Sequence, residues 1–315
     1  MHDRNTAGGS APDLSVTIAG VRFRNPVIAA SGTFGYGSEY AGLLDVERLG
    51  GIVTKGLTLT PRSGNTGTRL HETPSGLLNS IGLENPGIQA FIENELPRLC
   101  RRAPVVIVNL SGATIEEYAE GARRLDSTEI GMIELNISCP NVRAGGMAFG
   151  LEPAAAARVT QAVRRAAQKP LIVKLSPNAG DLVAVARACV DAGADGLSLV
   201  NTFKAMAIDI QKRRPVFDNV TAGLSGPAIR PIALRMVWEL RGAVQVPLIG
   251  MGGIASANDA LEFLMAGASA VEVGSAVFAR PRVIPEIIDG IAAYMKQHGV
   301  SRPGELDLRR ADTPS

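Results

Sequence analysis

The sequence has few of the residues that build disulfide frameworks, metal centres and membrane anchors. Its three cysteines, Cys100, Cys139 and Cys189, are an odd number, lie far apart and include no CxxC pair. This pattern argues against a disulfide framework and a zinc site, and it is typical of a reduced, cytoplasmic protein. No segment approaches the ~20 consecutive apolar residues of a membrane-spanning helix. The polar start "MHDRNTAGGSAPDLS" also lacks an apolar signal core. We therefore expect neither a metal site nor a membrane partner.

A large excess of charge of one sign is also missing. The 315 residues include 32 basic and 30 acidic side chains, a net charge of +2, with no long run of either sign. Binding to nucleic acids or membrane surfaces depends on concentrated positive charge, so we expect neither. With 46% hydrophobic and 20% charged residues, the composition is that of an ordinary globular protein.

Between its ends the chain alternates short apolar runs with amphipathic segments. After a candidate β-hairpin in "LSVTIAGVRFRNP", eight such pairs follow, beginning with the strand "PVIAAS" and the helix "SEYAGLLDVERLG". The strands are continuous Val, Ile and Leu runs, as parallel strands covered on both faces require. We predict an α/β fold, a (β/α)8 TIM barrel over residues 14–300, between a disordered N-terminal tail (1–13) and a C-terminal tail (301–315). A doubly wound open sheet is the alternative, but no GxGxxG follows the first strand.

Two connections are too long for simple turns between a strand and a helix. They cover residues 59–86 and 203–225, and both follow predicted strands. Loops of this length usually act as lids or binding loops. Because barrel enzymes keep their chemistry at the C-terminal ends of the strands, we expect both loops to cover that face.

Every predicted strand ends in polar residues or glycines. Because the C-terminal ends of barrel strands meet in one mouth, we expect these residues to converge there. One buried polar residue is usually a satisfied core group. Convergence from eight strands is hard to explain in that way, since each group would need a partner in a dry interior. In strand order, the residues are Ser31; Lys55; Asn109; Asn136 and Cys139; Lys174; Asn201 and Thr202; Gly252 and Gly253; and Gly274 and Ser275.

Three features of this mouth indicate its ligand. Glycine-rich turns after strands seven and eight would let backbone N–H groups approach a phosphate. Lys55 and Lys174 lie in apolar strands, where an anionic ligand, a Schiff base or pairing with an internal carboxylate such as Glu134 would each explain them. Recurring asparagines would suit the N–H and C=O edges of a pyrimidine or a flavin, although some, Asn79 especially, could be turn formers. The asparagines are Asn79, Asn109, Asn136, Asn141 and Asn201.

Cys139 is the best candidate for proton transfer in the mouth. It follows strand four within "NISCPN", among polar and turn residues, and the glycines after it would let the segment move. Two histidines lie near the chain ends and His71 lies in a long connection, so all are poorly placed to act as bases. Cys100 and Cys189 lie in amphipathic segments, where we expect inert thiols.

These residues stand in blocks that resemble the catalytic subunit of class 1 dihydroorotate dehydrogenases, flavin-containing barrels of pyrimidine synthesis. The resemblance runs from about Leu14 to His298 and follows the family's order of motifs. The blocks are "ASGTFGYG", "GGIVTKGLTLTPRSGN", "ETPSGLLNSIGLENPG", "NISCPN", "IVKLSPN", "LVNT", "GLSGPAIRPIALRMVWEL", "PLIGMGGI" and "VGSAVF".

The resemblance implies an activity and a role for each matching residue. The chain would oxidise dihydroorotate to orotate with one FMN, and Cys139 would be the catalytic base. Substrate would be bound by Lys55, Asn79, Ser80, Ile81, Gly82, Leu83, Asn136, Asn141, Asn201 and Thr202. FMN would be contacted by Ser31, Lys55, Asn109, Asn136, Lys174 and Val200, and its phosphate end held by Gly226, Gly252, Gly253, Gly274 and Ser275. The membrane-bound class has Ser at the base position and an N-terminal membrane-associating helix, and this chain has neither.

Within class 1, "NTFKAMAIDI" and "CPNVRAGGMAFG" are more similar to the NAD-linked class 1B than to the fumarate-linked class 1A. The chain has no dinucleotide fingerprint, and three scattered cysteines cannot hold a four-cysteine cluster. FAD and a 2Fe–2S cluster would therefore belong to a partner subunit, in a heterotetramer built on a barrel homodimer. The alternatives are the fumarate-linked homodimer, an FMN-dependent dihydropyrimidine dehydrogenase, which "NSIGL" disfavours, and a flavin-free barrel lyase with Lys174 or Lys55 as a Schiff base.

Overall fold

The computed structural model describes residues 11–40, 42–138 and 149–311. Eight parallel strands close into a barrel, which confirms the predicted fold. Each strand is hydrogen-bonded to its chain neighbours, and the last pairs with the first. The barrel strands are β1 (Val27–Ala29), β2 (Gly51–Val53), β3 (Val106–Leu110), β4 (Met132–Asn136), β5 (Leu171–Lys174), β6 (Gly196–Leu199), β7 (Leu248–Met251) and β8 (Ala270–Val273).

Helices follow strands β2 to β8 and pack on the outside of the barrel. Several begin at a capping side chain, such as Thr114, Asp181 or Ser256, whose oxygen accepts a hydrogen bond from a first-turn N–H group. The longer helices are Ile115–Asp126, Pro153–Ala166, Leu182–Asp191, Arg230–Arg241, Ala257–Met265 and Val283–His298. The helix after β2 has three consecutive parts, namely Ile88–Ala90, a π-helical stretch Phe91–Glu95 and Leu96–Cys100. A short helix, Ala276–Ala279, follows β8.

The prediction of a helix after the first strand is wrong. The segment forms two 3-10 turns, Ser38–Tyr40 and Val46–Arg48. The second turn starts at Asp45, whose side chain accepts a hydrogen bond from the N–H group of Glu47 at 3.0 Å. Aspartate favours the start of a helix over its interior because it binds nearby N–H groups in this way. Gly42 also lies inside the segment, and glycine has a low helix propensity. Both residues therefore disfavour a continuous helix.

The N-terminal end of the barrel is filled by apolar side chains. The predicted hairpin is confirmed as Val16–Ile18 paired with Val21–Phe23. Its Ile18 and Phe23 are fully buried against the first inward-facing residues of the strands, so the hairpin closes this end. We call these strand residues the lower layer; they are Ile28, Val53, Ile107, Met132, Ile172, Ile249 and Ala270.

The two long connections contain β-structure, although we predicted loops. Residues 70–79 and 203–225 contribute a four-stranded antiparallel sheet, which we call the accessory sheet. A small core of Leu78, Phe217 and Ala222 lies beneath it. In spatial order its strands are Phe203–Ala205, Ala222–Ser225, Gly76–Asn79 and Leu70–Thr73, and a two-stranded ribbon pairs Ile208–Asp209 with Arg214–Pro215. As predicted, both connections leave C-terminal ends of barrel strands.

Residues after 300 pack against the barrel in a 3-10 turn, Pro303–Leu306, and a short helix, Leu308–Ala311. The Asp307 carboxylate accepts a hydrogen bond from Arg241 Nε at 2.9 Å, and the Arg309 guanidinium lies 4.3 Å from the Trp238 ring centroid. The domain boundaries given above stay predictions. Within the described ranges, no helix is long and apolar enough to cross a membrane.

Candidate active site

A polar layer lies directly above the lower layer, toward the C-terminal ends of the strands. Inward-facing residues recur every second position along a strand, so Asn109, Glu134 and Lys174 follow Ile107, Met132 and Ile172. Ser198 of β6 and Glu272 of β8 complete the set, and all five side chains are buried. We call these five residues the upper layer: Asn109, Glu134, Lys174, Ser198 and Glu272.

Glu134 is the centre of the upper layer. Its carboxylate accepts hydrogen bonds from Asn109 Nδ2 at 2.5 Å and from Ser198 Oγ at 2.7 Å. The Nζ atom of Lys174 lies 3.4 Å from the same carboxylate. Three donors around one buried carboxylate compensate a negative charge at that position.

Lys174 lies between two acids. Its Nζ atom is 3.4 Å from Glu134 and 3.6 Å from Glu272. The sequence raised pairing with Glu134 as one explanation for this lysine, but it gave no role to Glu272. Burial alone would lower the pKa of Lys174, but its interactions with Glu134, and then with Glu272, outweigh burial and raise it. Lys174 is therefore an ammonium ion, which is the wrong state for a Schiff-base nucleophile.

Two predicted amides continue this network toward the mouth. Asn136 Nδ2 donates to Asn109 Oδ1 at 3.1 Å, and Ser138 Oγ donates to Asn136 Oδ1 at 2.8 Å. Asn201 Nδ2 in turn donates to Ser138 Oγ. The network thus joins four predicted site residues, Asn109, Asn136, Lys174 and Asn201, through Glu134 and Ser138, to which we gave no site role. Cys139 and Asn141 lie outside the described residues, although Cys139 directly follows Ser138 in the chain.

The accessory sheet brings a second group of predicted residues together. Asn79 ends a strand and donates through Nδ2 to the Gly223 carbonyl at 3.2 Å, so it is not a turn former. Thr202 packs over the same glycine, since a Cβ atom placed on Gly223 would lie 2.1 Å from Thr202 Oγ1. Ser80 is buried, and its hydroxyl accepts hydrogen bonds from Asn65 and Asn219 at 3.1 and 3.3 Å.

The turn at residues 81–85 is fixed by a residue that we did not predict. Asn85 is buried, and its Nδ2 donates to the Leu83 carbonyl at 2.7 Å and to Thr58 Oγ1 at 2.9 Å. Gly82 has φ +79° and Leu83 has φ +56°, so the backbone here adopts the left-handed region that favours glycine. The Asn65 N–H group also donates to the Ile81 carbonyl at 2.9 Å.

This turn reaches the barrel mouth. A Cβ atom on Gly56 would lie 2.9 Å from Leu83 Cδ2 and 3.0 Å from Asn109 Oδ1. The half-buried Lys55 precedes Gly56 in the chain. A hydrogen bond from Arg69, and then the charge of Lys55, lower the pKa of Glu84 in this turn. The substrate turn predicted from the sequence therefore lies beside strands β2 and β3.

The predicted phosphate-binding glycines form a shelf at the ends of β7 and β8. Gly226, Gly252 and Gly253 have φ of +97°, +126° and +74°, a region that few other residues adopt. A Cβ atom on Gly253 would lie 2.7 Å from the Gly226 carbonyl oxygen, so these two backbones touch. Val200 lies beside the shelf, because its N–H group donates to the Met251 carbonyl at 3.0 Å.

Gly274 differs from these three glycines. A Cβ atom on it would meet only Ala30 Cβ at 3.6 Å and Thr33 Cγ2 at 3.8 Å, which is ordinary contact distance. A Cβ atom would therefore fit on this side of β8 without a clash, next to the segment that contains Ser31. Ser275 follows and precedes the short helix Ala276–Ala279. No described hydrogen bond joins the Ser31 side chain to the upper layer.

The two described cysteines lie away from this network. Cys100 is half-buried in the helix after β2, and Cys189 is buried in Leu182–Asp191. Burial raises the pKa of Cys189 to about 11, although a hydrogen bond with Thr160 lowers it slightly. Thiols in such surroundings are unreactive. Among the residues described, no group of three or more His, Cys, Asp or Glu side chains is arranged to hold a metal ion.

The fold and this mouth define a (β/α)8 barrel with a buried lysine–glutamate–amide layer and a glycine shelf at its C-terminal face. Residues 13–295 match the sequence model of the dihydroorotate dehydrogenase family. The chain belongs to this family, which confirms the resemblance seen in its motifs.

Several relatives are similar over almost their whole length. The dihydroorotate dehydrogenase B (NAD(+)) catalytic subunit of Pelobacter propionicus is 57% identical over 296 residues, which cover 94% of this chain and 97% of the relative. The subunit of the same name from Petrotoga mobilis is 58% identical, covering 93% and 98%. That of Geotalea uraniireducens is 56% identical, covering 94% and 97%.

Proposed function

We propose that this chain is the catalytic subunit of an NAD-linked dihydroorotate dehydrogenase, which oxidises (S)-dihydroorotate to orotate in the synthesis of UMP. The observation that carries this proposal is the 57% identity, over 94% of the chain, to a subunit of that name. The ammonium group of Lys174 and the amides joined to it through Glu134 supply the polar mouth that such a reaction needs.

The mouth fits FMN, the cofactor of this family. Gly226 and Gly253 touch through their backbones, and a Cβ atom on Gly274 would lie at ordinary contact distance from Ala30 and Thr33, so glycine backbone lines this end of the mouth. Glycines let backbone N–H groups approach a phosphate closely. Lys174, Asn109 and Asn136 would hold the ring system, where an ammonium ion stabilises negative charge. A bound FMN would supply the hydride acceptor for the oxidation of dihydroorotate at C6.

The chain's own residues would bind the substrate and move its proton. Lys55 and the amides of Asn79, Asn136 and Asn201 would hold the carboxylate and ring edges of dihydroorotate. Cys139, as a thiolate, would take the proton from C5. Because an unperturbed thiol has a pKa of about 8.5, the site must either lower this pKa or work faster as the pH rises.

Electron transfer to NAD would require a second subunit. The chain has no GxGxxG fingerprint and no four-cysteine cluster in its sequence. We assign FAD and a 2Fe–2S cluster to this partner, in a heterotetramer with two barrels at its centre. The partner's existence is supported by the words "catalytic subunit" in the names of the relatives. The cytoplasmic location stays a prediction from the sequence.

The experiment is to purify the chain alone and together with its partner from the native cell. We expect a yellow protein that releases FMN on denaturation and bleaches with dihydroorotate but not with dihydrouracil. Isolated barrels should reduce dyes and not NAD, whereas the copurified complex should contain FAD and iron and reduce NAD. A colourless active protein would support the Schiff-base lyase, and bleaching by dihydrouracil the dihydropyrimidine enzyme. Rapid fumarate turnover by the isolated chain would support class 1A.

A further inference from the structure

Glu272 is a buried acid for which the proposed function has no use. Its side chain is 0% exposed, in the middle of β8. Neither carboxyl oxygen has a hydrogen-bond partner within residues 11–40, 42–138 and 149–311. A buried polar group without a partner is rare, and each case requires an explanation.

The charges of the upper layer explain why Glu272 lacks a hydrogen-bond partner. Lys174, Glu134 and Glu272 are one cation and two acids, and all three are buried. If all three were ionised, the layer would carry a net charge of −1, and an uncompensated buried charge is strongly unfavourable. Among the described residues Glu134 receives three donors, whereas Glu272 has only Lys174 Nζ, at the longer distance of 3.6 Å. The extra proton therefore belongs on Glu272.

The surroundings of Glu272 agree with this assignment. On the neighbouring strands it pairs with Met251 of β7 and Ile28 of β1, which are both apolar. The charged groups that act on it are Glu134 and Lys174. Burial and then the Glu134 charge raise the pKa of Glu272 well above its usual range, against the opposing effect of Lys174. Two carboxylates cannot hydrogen-bond each other, but a protonated Glu272 can donate to Glu134.

We propose that Glu272 is a positioning residue, held as a neutral carboxylic acid beside Lys174, and that its ionisation sets the charge which the upper layer presents to a bound flavin. While Glu272 is neutral, the Lys174–Glu134 pair sums to zero. An ionised Glu272 would add a negative charge to the layer that faces a bound flavin, and this charge would make the uptake of electrons harder. This proposal rests on the proposed function, because it needs a flavin in the mouth.

The first test reads the protonation state without any flavin. The infrared spectrum of the apoprotein near neutral pH should contain a carboxylic acid C=O band that disappears in Glu272→Gln. The matched control is Glu116→Gln, an exposed glutamate on a helix, which should keep the band. In Glu134→Gln the band should also disappear, because Glu272 then becomes the counter-ion of Lys174. A wild-type spectrum that Glu272→Gln leaves unchanged would overturn the proposal.

The second test measures how easily bound FMN is reduced, against a reference dye, as the pH is raised from neutral. Near neutral pH the reduction equilibria of Glu272→Gln and the wild type should agree within about threefold, because glutamine mimics the neutral acid. At alkaline pH the wild-type flavin should become at least tenfold harder to reduce than that of the variant, which is about 30 mV for a two-electron couple. A tenfold difference already at neutral pH, or coincident curves throughout, would contradict the proposal.

The two tests distinguish a failure of the proposed function from a failure of the role proposed for Glu272. If the chain binds no FMN, the proposed function fails, while the infrared band still decides whether Glu272 is protonated. If FMN binds and dihydroorotate bleaches it but the band is missing, the proposed function stands and the role of Glu272 fails.

Discussion

The lower and upper layers of the barrel lie on the same strands, two residues apart, and they are built from opposite chemistry. Ile172 and Met132 fill the lower layer, whereas Lys174 and Glu134, one inward position further on, form the upper layer. The lower layer is closed by the hairpin and has only apolar side chains. The upper layer holds three ionisable groups that are almost fully buried. The apolar lower layer thus stabilises the folded barrel, whereas the burial of ionisable groups in the upper layer opposes folding.

This difference indicates what each layer is for. Replacing a buried ion pair by well-packed apolar residues is often neutral or stabilising, so stability does not explain why the upper layer is polar. Function does, because amides and an ammonium ion held rigidly by a packed scaffold can face a charged ligand without reorganising. The lower layer supplies that scaffold. Mutations in the two layers should therefore separate stability from activity.

The largest expected effect is that of replacing Cys139, which directly follows Ser138 in the chain. Serine is a far weaker acid than cysteine, so Cys139→Ser should keep FMN and lose flavin reduction by dihydroorotate by about 100- to 10,000-fold near neutral pH. Stopped-flow bleaching measures this rate, and part of it should return at high pH. Cys100→Ser and Cys189→Ser should stay close to wild type. A Cys139→Ser enzyme with the wild-type rate near neutral pH would show that the base is elsewhere.

The next test compares two neighbours on β5. Lys174→Met leaves Glu134 buried without its cation and should lower the free energy of unfolding by about 3–5 kcal/mol. It should also abolish flavin reduction. Ile172→Val removes one methylene group from the lower layer and should cost about 0.5–1.5 kcal/mol, with the rate retained. Urea unfolding and bleaching kinetics on both variants measure this. A loss of activity in Ile172→Val equal to that in Lys174→Met would remove the distinction between the layers.

Much of this architecture could be predicted from the sequence. Continuous apolar strands separated by amphipathic helices indicate a barrel, and polar residues after those strands indicate its mouth. Asn109, Asn136, Lys174 and Asn201 were predicted in this way, and the structure joins them in one network. The first helix was not predictable by periodicity alone, because the cap at Asp45 competes with it.

The partners of these residues were harder to predict. Glu134, Lys174 and Glu272 come from strands β4, β5 and β8, and only closure of the barrel brings them together. A signal existed, since a charged residue inside an apolar strand marks Glu272 in "AVEVGSAVF" as clearly as it marks Lys174 in "PLIVKLSP". Asn85 gave no such signal, because an asparagine before a proline is typical of any turn.

A third test concerns the glycine shelf above the upper layer. Gly274→Val would place a side chain beside Ala30 at the end of β8, and its Cβ atom would not clash with the backbone. It should therefore reduce FMN affinity at least tenfold, about 1.4 kcal/mol, and give a largely colourless protein. Absorbance after desalting and FMN titration of the apoprotein measure the loss.

The matched control for this test is Gly180→Val, at an exposed loop glycine with nothing within 4 Å, which should stay yellow. Gly252→Val is a poorer test of phosphate binding, because its Cβ atom would lie 2.8 Å from Ala233 and disturb the helix Arg230–Arg241. Full FMN occupancy in Gly274→Val would mean that the phosphate lies elsewhere.

The smallest expected effect is a change in how stability depends on pH, and it distinguishes the upper layer from the lower one in the absence of ligand. Burial, followed by the Glu134 charge, raises the pKa of Glu272 in the folded protein above the value of 4.5 for an exposed glutamate. The stability that its proton contributes is therefore fully present below about pH 4.5 and is lost as the pH rises through the folded-state pKa. Glutamine cannot ionise and does not lose this contribution.

The free energy of unfolding of Glu272→Gln minus that of the wild-type apoprotein should thus increase with pH, by at most about 1.4 kcal/mol per pH unit. Urea unfolding from about pH 5 to about pH 9 measures this difference, with Glu116→Gln as the control whose difference stays flat. A flat line for Glu272→Gln would mean that Glu272 ionises equally in the folded and unfolded chain, and the upper layer would then hold an uncompensated negative charge that this structure gives no means of stabilising.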